Sequence, residues 1–180
     1  MKLKGKCAVI TGANQGLGEA IADLYVKEGC SLALCARDDK KLAETVKKLK
    51  SFASDGQKII SMNTDVSDEK QVQAFISFSL KELGKIDILV NNAGVYGPKG
   101  LTDQVDTKEW IKAVEINLYG VLFCCNAVMP LMRKSNYGKI INLSGGGATA
   151  PLPRISAYAA SKAAVVRLTE TLAEENKEYN

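Results

Sequence analysis

The sequence predicts an α/β protein, a doubly wound parallel sheet with helices on both faces. Three observations predict it. Short apolar runs alternate with helical patterns along the 180 residues. The strand-like runs are almost unbroken in apolar character, as in strands covered on both faces. The first run turns through Gly12, Gly16 and Gly18 into a helical pattern rather than into a hairpin. Right-handed crossovers then wind the chain so that a ligand sits at the carboxyl ends of the strands.

The first strand is expected over residues 6–11 and its helix over 16–27, where Ala20, Ile21, Leu24 and Tyr25 fill one face. A strand that turns on glycines into a helix presents bare N–H groups and the positive end of the dipole, which attract a phosphate. Side chains in the turn would hold the phosphate away. The second strand is expected over 31–36, a Lys- and Leu-rich helix over 40–52, and the third strand over 58–63. A helix over 68–83 follows, capped by Ser67 or Asp68. The fourth strand spans 86–91. After a loop holding Gly94, Gly97, Pro98 and Gly100, helical patterns resume near Thr107 and run to about Arg133, with breaks expected at Gly120 and Pro130. The fifth strand covers 139–143. A loop with Gly145, Gly146, Gly147, Pro151 and Pro153 leads to a last helix over 156–178. No repeat or linker interrupts this order, so residues 1–180 read as one domain.

Composition narrows the function classes. Hydrophobic residues make up 46% and charged residues 24%, a globular balance. The net charge of +4 comes from lysines scattered over helices such as 40–50, which reads as a solvated face and not a nucleic-acid groove. No apolar run approaches the roughly 18 residues of a membrane span. The first six residues have no apolar signal core, so a cytoplasmic location is expected. Cys7, Cys30, Cys35, Cys124 and Cys125 sit in apolar contexts without a C-x-x-C pair, and read as buried free thiols. There is no histidine. Acid–base chemistry therefore falls to Tyr, Lys, Asp, Glu or Cys, and no metal site is expected.

Tyr158 and Lys162 are the catalytic candidates. Four residues apart on a helix, they share one face about one turn apart. A free phenol, with a pKa near ~10, is a poor base at neutral pH, and an adjacent ammonium favours the phenolate. The same pair also suits an ordinary amphipathic helix edge. The glycine turn tips the balance towards chemistry.

These motifs together resemble the short-chain dehydrogenase/reductase family, and the expected fold is then Rossmann-like. Thr11 to Gly18 matches the family's T-G-x-x-x-G-x-G loop, and Asn91-Asn92-Ala93-Gly94 matches N-N-A-G. Asn117 falls where relatives keep an asparagine. Tyr158 and Lys162 match Y-x-x-x-K, and Asp65 matches an acid that contacts adenine. The match runs through the whole chain in order. The resemblance implies hydride transfer between a nicotinamide cofactor and a small alcohol or carbonyl. Tyr158 would exchange the hydroxyl proton, Lys162 would bind the nicotinamide ribose, and Asn117 would hold a water. Cofactor contacts would come from Gly12, Asn14, Gln15, Gly16, Leu17, Gly18, Arg37, Asp65, Val66, Asn91, Ala93, Gly94, Tyr158 and Lys162. A homodimer or homotetramer follows by resemblance.

Three departures qualify the resemblance. Relatives' substrate-polarising serine aligns with Gly145; Ser144 stands one position earlier and is the preferred substitute, with Thr149 in reserve. NAD-preferring relatives carry an acid at the end of the second strand, where this chain has Ala36 followed by Arg37. An arginine there can clamp a 2′-phosphate, so NADP(H) is expected over NAD(H). Asp38 could serve a ribose or pair with Arg37 instead. Relatives also continue into two further strands, so the chain is expected to be incomplete at its C-terminus, with the fifth strand as an apolar edge. The competing reading is a non-catalytic dinucleotide-binding protein.

Overall fold

The computed structural model describes residues 1–179. Strands β1 (Cys7–Thr11), β2 (Ser31–Ala36), β3 (Ile59–Asn63), β4 (Ile88–Asn91) and β5 (Lys139–Asn142) form one parallel sheet in the order β3-β2-β1-β4-β5. The chain winds outward from β1 to β3, then crosses to β4 and β5 on the other side. The reversal between β1 and β4 opens a crevice at the strands' carboxyl ends.

Period-two alternation divides each strand between two cores. Ala8, Ile10, Leu32, Leu34, Ile88 and Val90 pack under α1 (Gly16–Lys27) and α2 (Asp39–Lys50). Val9, Ala33, Cys35 and Leu89 face α3 (Glu69–Leu83), α5 (Gly120–Ser135) and α6 (Ser156–Glu175). Both faces of the central strands are covered, so their apolar runs need no polar alternate. All five cysteines are buried and free. Burial pushes the Cys30 and Cys35 thiols up to about 12.

Helix ends follow local chemistry. Asp38 caps α2 through the Lys41 N–H, and Asp68 caps α3 through Lys70 and Gln71. Gly84, at φ 82°, ends α3 in the left-handed region.

The breaks expected at Gly120 and Pro130 are absent. Helix α4 (Thr107–Val114) passes through a π-helical turn, Glu115–Tyr119, directly into α5. Pro130 lies inside α5 on an exposed stretch beside Asn126, whose carbonyl water can satisfy. The continuous helix Thr107–Ser135 has 29 residues and is long and apolar enough, by length and composition, to cross a membrane. The sequence expectation missed this by dividing it. In the fold Val121, Cys124, Cys125 and Val128 of this helix are buried in the sheet core.

Among the described residues β3 is one edge of the sheet and β5 the other. Its Ile141 is 42% exposed. An apolar groove of about 290 Å³ runs beside it, between α5 and α6, lined by Met129, Met132, Ile140 and Leu172.

Candidate active site

The turn after β1 is held from below. Thr11 Oγ1 accepts from the Asn92 and Ala93 N–H groups at 3.1 Å each. Asn92 Nδ2 donates back to the carbonyls of Thr11 and Gly12. A β-carbon on Gly18 would lie 2.3 Å from the Gly12 oxygen, so close packing of α1 on the turn requires glycine there. No side chain caps the start of α1. Its first N–H groups are left for a ligand.

A cleft of about 420 Å³ opens above this turn. Gly12, Asn14, Gln15, Gly16 and Leu17 line one side, Arg37, Asp65 and Val66 another, and Ala93 and Gly94 a third. A second cleft of about 250 Å³ adjoins it and holds Tyr158, Lys162 and Ser144. The two share Leu17, Asn92, Gly94 and Val95. An extended dinucleotide, with phosphates on the glycine turn, fits this continuous path.

Two cations, Arg37 and Lys41, stand at one end of the cleft beside the carboxylates of Asp38 and Asp65. Arg37 is exposed at the rim and has no ion pair among the described residues. Asp38 is occupied with capping α2 and with Lys41, 3.8 Å away. Lys41 also reaches Gln15 Oε1 at 3.3 Å. Asp65 accepts from the Ser67 N–H and hydroxyl. Burial raises its pKa, but those two bonds, with Lys112 and Arg37 nearby, hold the carboxyl below its usual range.

Lys162 is only 4% exposed, and its Nζ donates to the Leu143 carbonyl. Burial lowers its pKa from 10.5. The amine lies 5.7 Å from the centre of the Tyr158 ring, on the same face of α6. Tyr96 tilts against Tyr158 with ring centres 5.0 Å apart. The loops on the two sides of this mouth are joined by one backbone bond, Gly100 N–H to the Arg154 carbonyl, with Arg154 at φ 69°.

Asn117 is fully buried in the π-turn. Its Oδ1 accepts from the Val95 N–H, and its Nδ2 donates to the Val95 carbonyl and to Ser161 Oγ. Both donors are used, and one lone pair of Oδ1 is left for a water. π-turns inside α-helices recur at functional sites.

The structure does not bring every candidate to the cleft. Asn91 points behind the strand end, to Asn142 Oδ1 and Cys125, and its own Oδ1 is buried without a partner. Its place in the cleft wall is taken by Asn92. Gly18 packs under the turn and does not face the ligand path. Ser144 reaches the wall, but its hydroxyl donates to the Lys162 carbonyl at 3.3 Å. Thr149 is exposed and donates to the Gly146 carbonyl. Sequence reasoning missed Lys41 and Thr64, which both line the cleft. Lys41 stands in the first turn of α2 and carried no signal beyond its charge.

A parallel sheet in this order, with a glycine turn at the carboxyl end of β1, defines a Rossmann-like nucleotide-binding fold. A family model described as short chain dehydrogenase matches residues 6–180, and the chain belongs to that family. Among its relatives, it is 39% identical over 170 residues to 11-beta-hydroxysteroid dehydrogenase-like 3 of Arabidopsis thaliana, covering 93% of this chain and 53% of that one. A short chain dehydrogenase/reductase structure from Burkholderia phymatum in complex with NAD is 35% identical, at a TM-score of 0.93. It covers all of this chain, which spans 63% of that one. A metagenomic short-chain oxidoreductase in complex with NADP is 32% identical, also at 0.93, covering 99% of this chain and 80% of that one. The chain thus spans about half the length of the Arabidopsis relative.

Proposed function

We propose that the chain carries the nucleotide-binding and proton-transfer core of an oxidoreductase acting between NADP(H) and a small alcohol or carbonyl. The observation that carries this reading is the continuity of the two clefts, which puts Tyr158 and Lys162 within reach of whatever the glycine turn grips. When bound, the nicotinamide supplies or accepts the hydride. The rest is the work of side chains and backbone. The N–H groups opening α1 hold the phosphates, and Asp65 and Val66 border the adenine end. The Lys162 ammonium favours the Tyr158 phenolate, and Tyr158 exchanges the hydroxyl proton. Asn117 fixes the Val95 backbone beside them and offers Oδ1 to a water. Ser144 anchors α6 through Lys162 rather than standing free.

Arg37 and Lys41 support NADP(H) over NAD(H). Both are cationic and both line the cleft, and Ala36 puts no carboxylate at the end of β2; Asp38, which also lines the cleft, is paired with Lys41. The five buried thiols suit a reducing cytoplasm. Ile111 and Tyr119, about half exposed on the outer face of α4 and the π-turn, suit a homodimer or homotetramer.

Tyr158→Phe tests the reading. NADPH consumption with small ketones and diketones should fall by roughly 10²–10⁴-fold while cofactor affinity is nearly unchanged. A surviving rate would refute the proton role. The engaged Ser144 hydroxyl favours a second reading, a protein that binds the dinucleotide without turnover. Clear cofactor binding by the wild type without turnover of any carbonyl would select it.

A further inference from the structure

Residue 145 has no side chain, and its backbone does not require that freedom. Gly145 has φ −173° and ψ 174°, extended backbone that any residue adopts. The requirement is space. A β-carbon at 145 would lie 2.3 Å from the Tyr158 hydroxyl oxygen and 3.0 Å from Cζ. The phenol rests on bare backbone. Gly146 meets nothing within 4 Å and Gly147 is crowded by Ala159, so of the three glycines only 145 meets the phenol. On its other side the Tyr158 ring meets Tyr96. The hydroxyls of this loop are engaged elsewhere, Ser144 on Lys162 and Thr149 on Gly146.

We propose that Gly145 is a specificity-determining position. It seats Tyr158 on bare backbone and leaves no hydroxyl at 145 to share the substrate oxygen with the phenol, and so selects carbonyls already activated by an adjacent electron-withdrawing group, such as vicinal diketones. This rests on the oxidoreductase reading above. In the reduction, the carbonyl carbon gains a hydride from the reduced nicotinamide and the π pair moves to oxygen. That oxygen takes the Tyr158 proton, leaving one alcohol and one oxidised cofactor. A second oxyanion donor is worth about 10²–10³ in rate. A neighbouring carbonyl withdraws electron density and makes up part of that loss, whereas a plain ketone has no such help.

Two measurements test this. The first is a stability cycle, by denaturant unfolding of wild type, Gly145→Ala, Tyr158→Ala and the double variant. Gly145→Ala should lower the midpoint in the wild type and lose most of that effect once Tyr158 is alanine, with Gly146→Ala neutral in both. An equal cost in both backgrounds, or none in either, overturns the seat. The second compares 2,3-butanedione with butanone under NADPH. The diketone should be preferred by about 100-fold in kcat/KM, and Gly145→Ser should slow its reduction. A preference below tenfold overturns the selectivity. A gain of butanone reduction in Gly145→Ser would show that a hydroxyl fits beside the phenol, which overturns the seat and supports the missing donor as the source of the selectivity. No turnover of either ketone would defeat the selectivity together with the oxidoreductase reading, and the cycle would still decide the seat by itself.

Discussion

A buried ammonium whose hydrogen-bond partner among the described residues is one carbonyl is costly to the fold, and Lys162 is such a group. Its folded pKa lies below the unfolded 10.5, so between the two the unfolded chain binds more protons. Stability therefore rises with pH through that window, and the penalty is full below it. Lys162→Met should raise the denaturant midpoint at neutral pH without cofactor, and the gain should shrink as pH approaches 10.5. A pH-independent difference would contradict this. Arg37 poses the opposite case, an exposed cation without an ion pair among the described residues. Arg37→Ala should weaken NADP binding by roughly tenfold or more, as expected for charge-assisted bonds. NAD binding should change little, and equal losses in calorimetry would remove the cofactor argument. Lys41→Ala should act in the same direction.

At the scale of elements, the π-turn joins three parts of the molecule through one side chain. Asn117 satisfies the Val95 N–H and carbonyl and Ser161 at once. Asn117→Ala leaves these groups to find other partners, at a cost of about 1–3 kcal/mol for each that stays buried and unpaired. The denaturant midpoint should drop and amide exchange at Val95 should accelerate; unchanged exchange would show that the loop is held otherwise. The alternation of elements was legible in the sequence because glycine turns and Asp caps mark their limits; α1 and β2 fall on the expected residues. The long helix was not legible, because Gly120 and Pro130 read locally as breakers while packing on the sheet decides the outcome. For the site, the glycine turn and the Tyr–Lys pair were legible as motifs. Which asparagine of Asn91-Asn92 faces the cleft was not, since only the strand end decides which way each side chain points. The Lys41 contact with Gln15 depends on how α1 and α2 pack, and no spacing encodes that.

For the whole molecule, the β5 edge of the sheet matters most. β5 pairs only with β4 among the described residues and leaves Ile141 on its surface. An open apolar edge is a template for pairing with other chains. Ile141→Lys should reduce light scattering of this 180-residue chain on warming, with far-UV circular dichroism unchanged. Scattering that persists would point to the groove between α5 and α6 as the sticky surface instead.

The single bond from Gly100 to Arg154 links segments more than fifty positions apart in the chain. It is made by backbone alone, so side chains beyond Gly100, whose β-carbon would press on Val105, and Arg154, at positive φ, can be exchanged without breaking the joint. The mouth of the site can then acquire new tastes by drift in either segment while its outline stays the same.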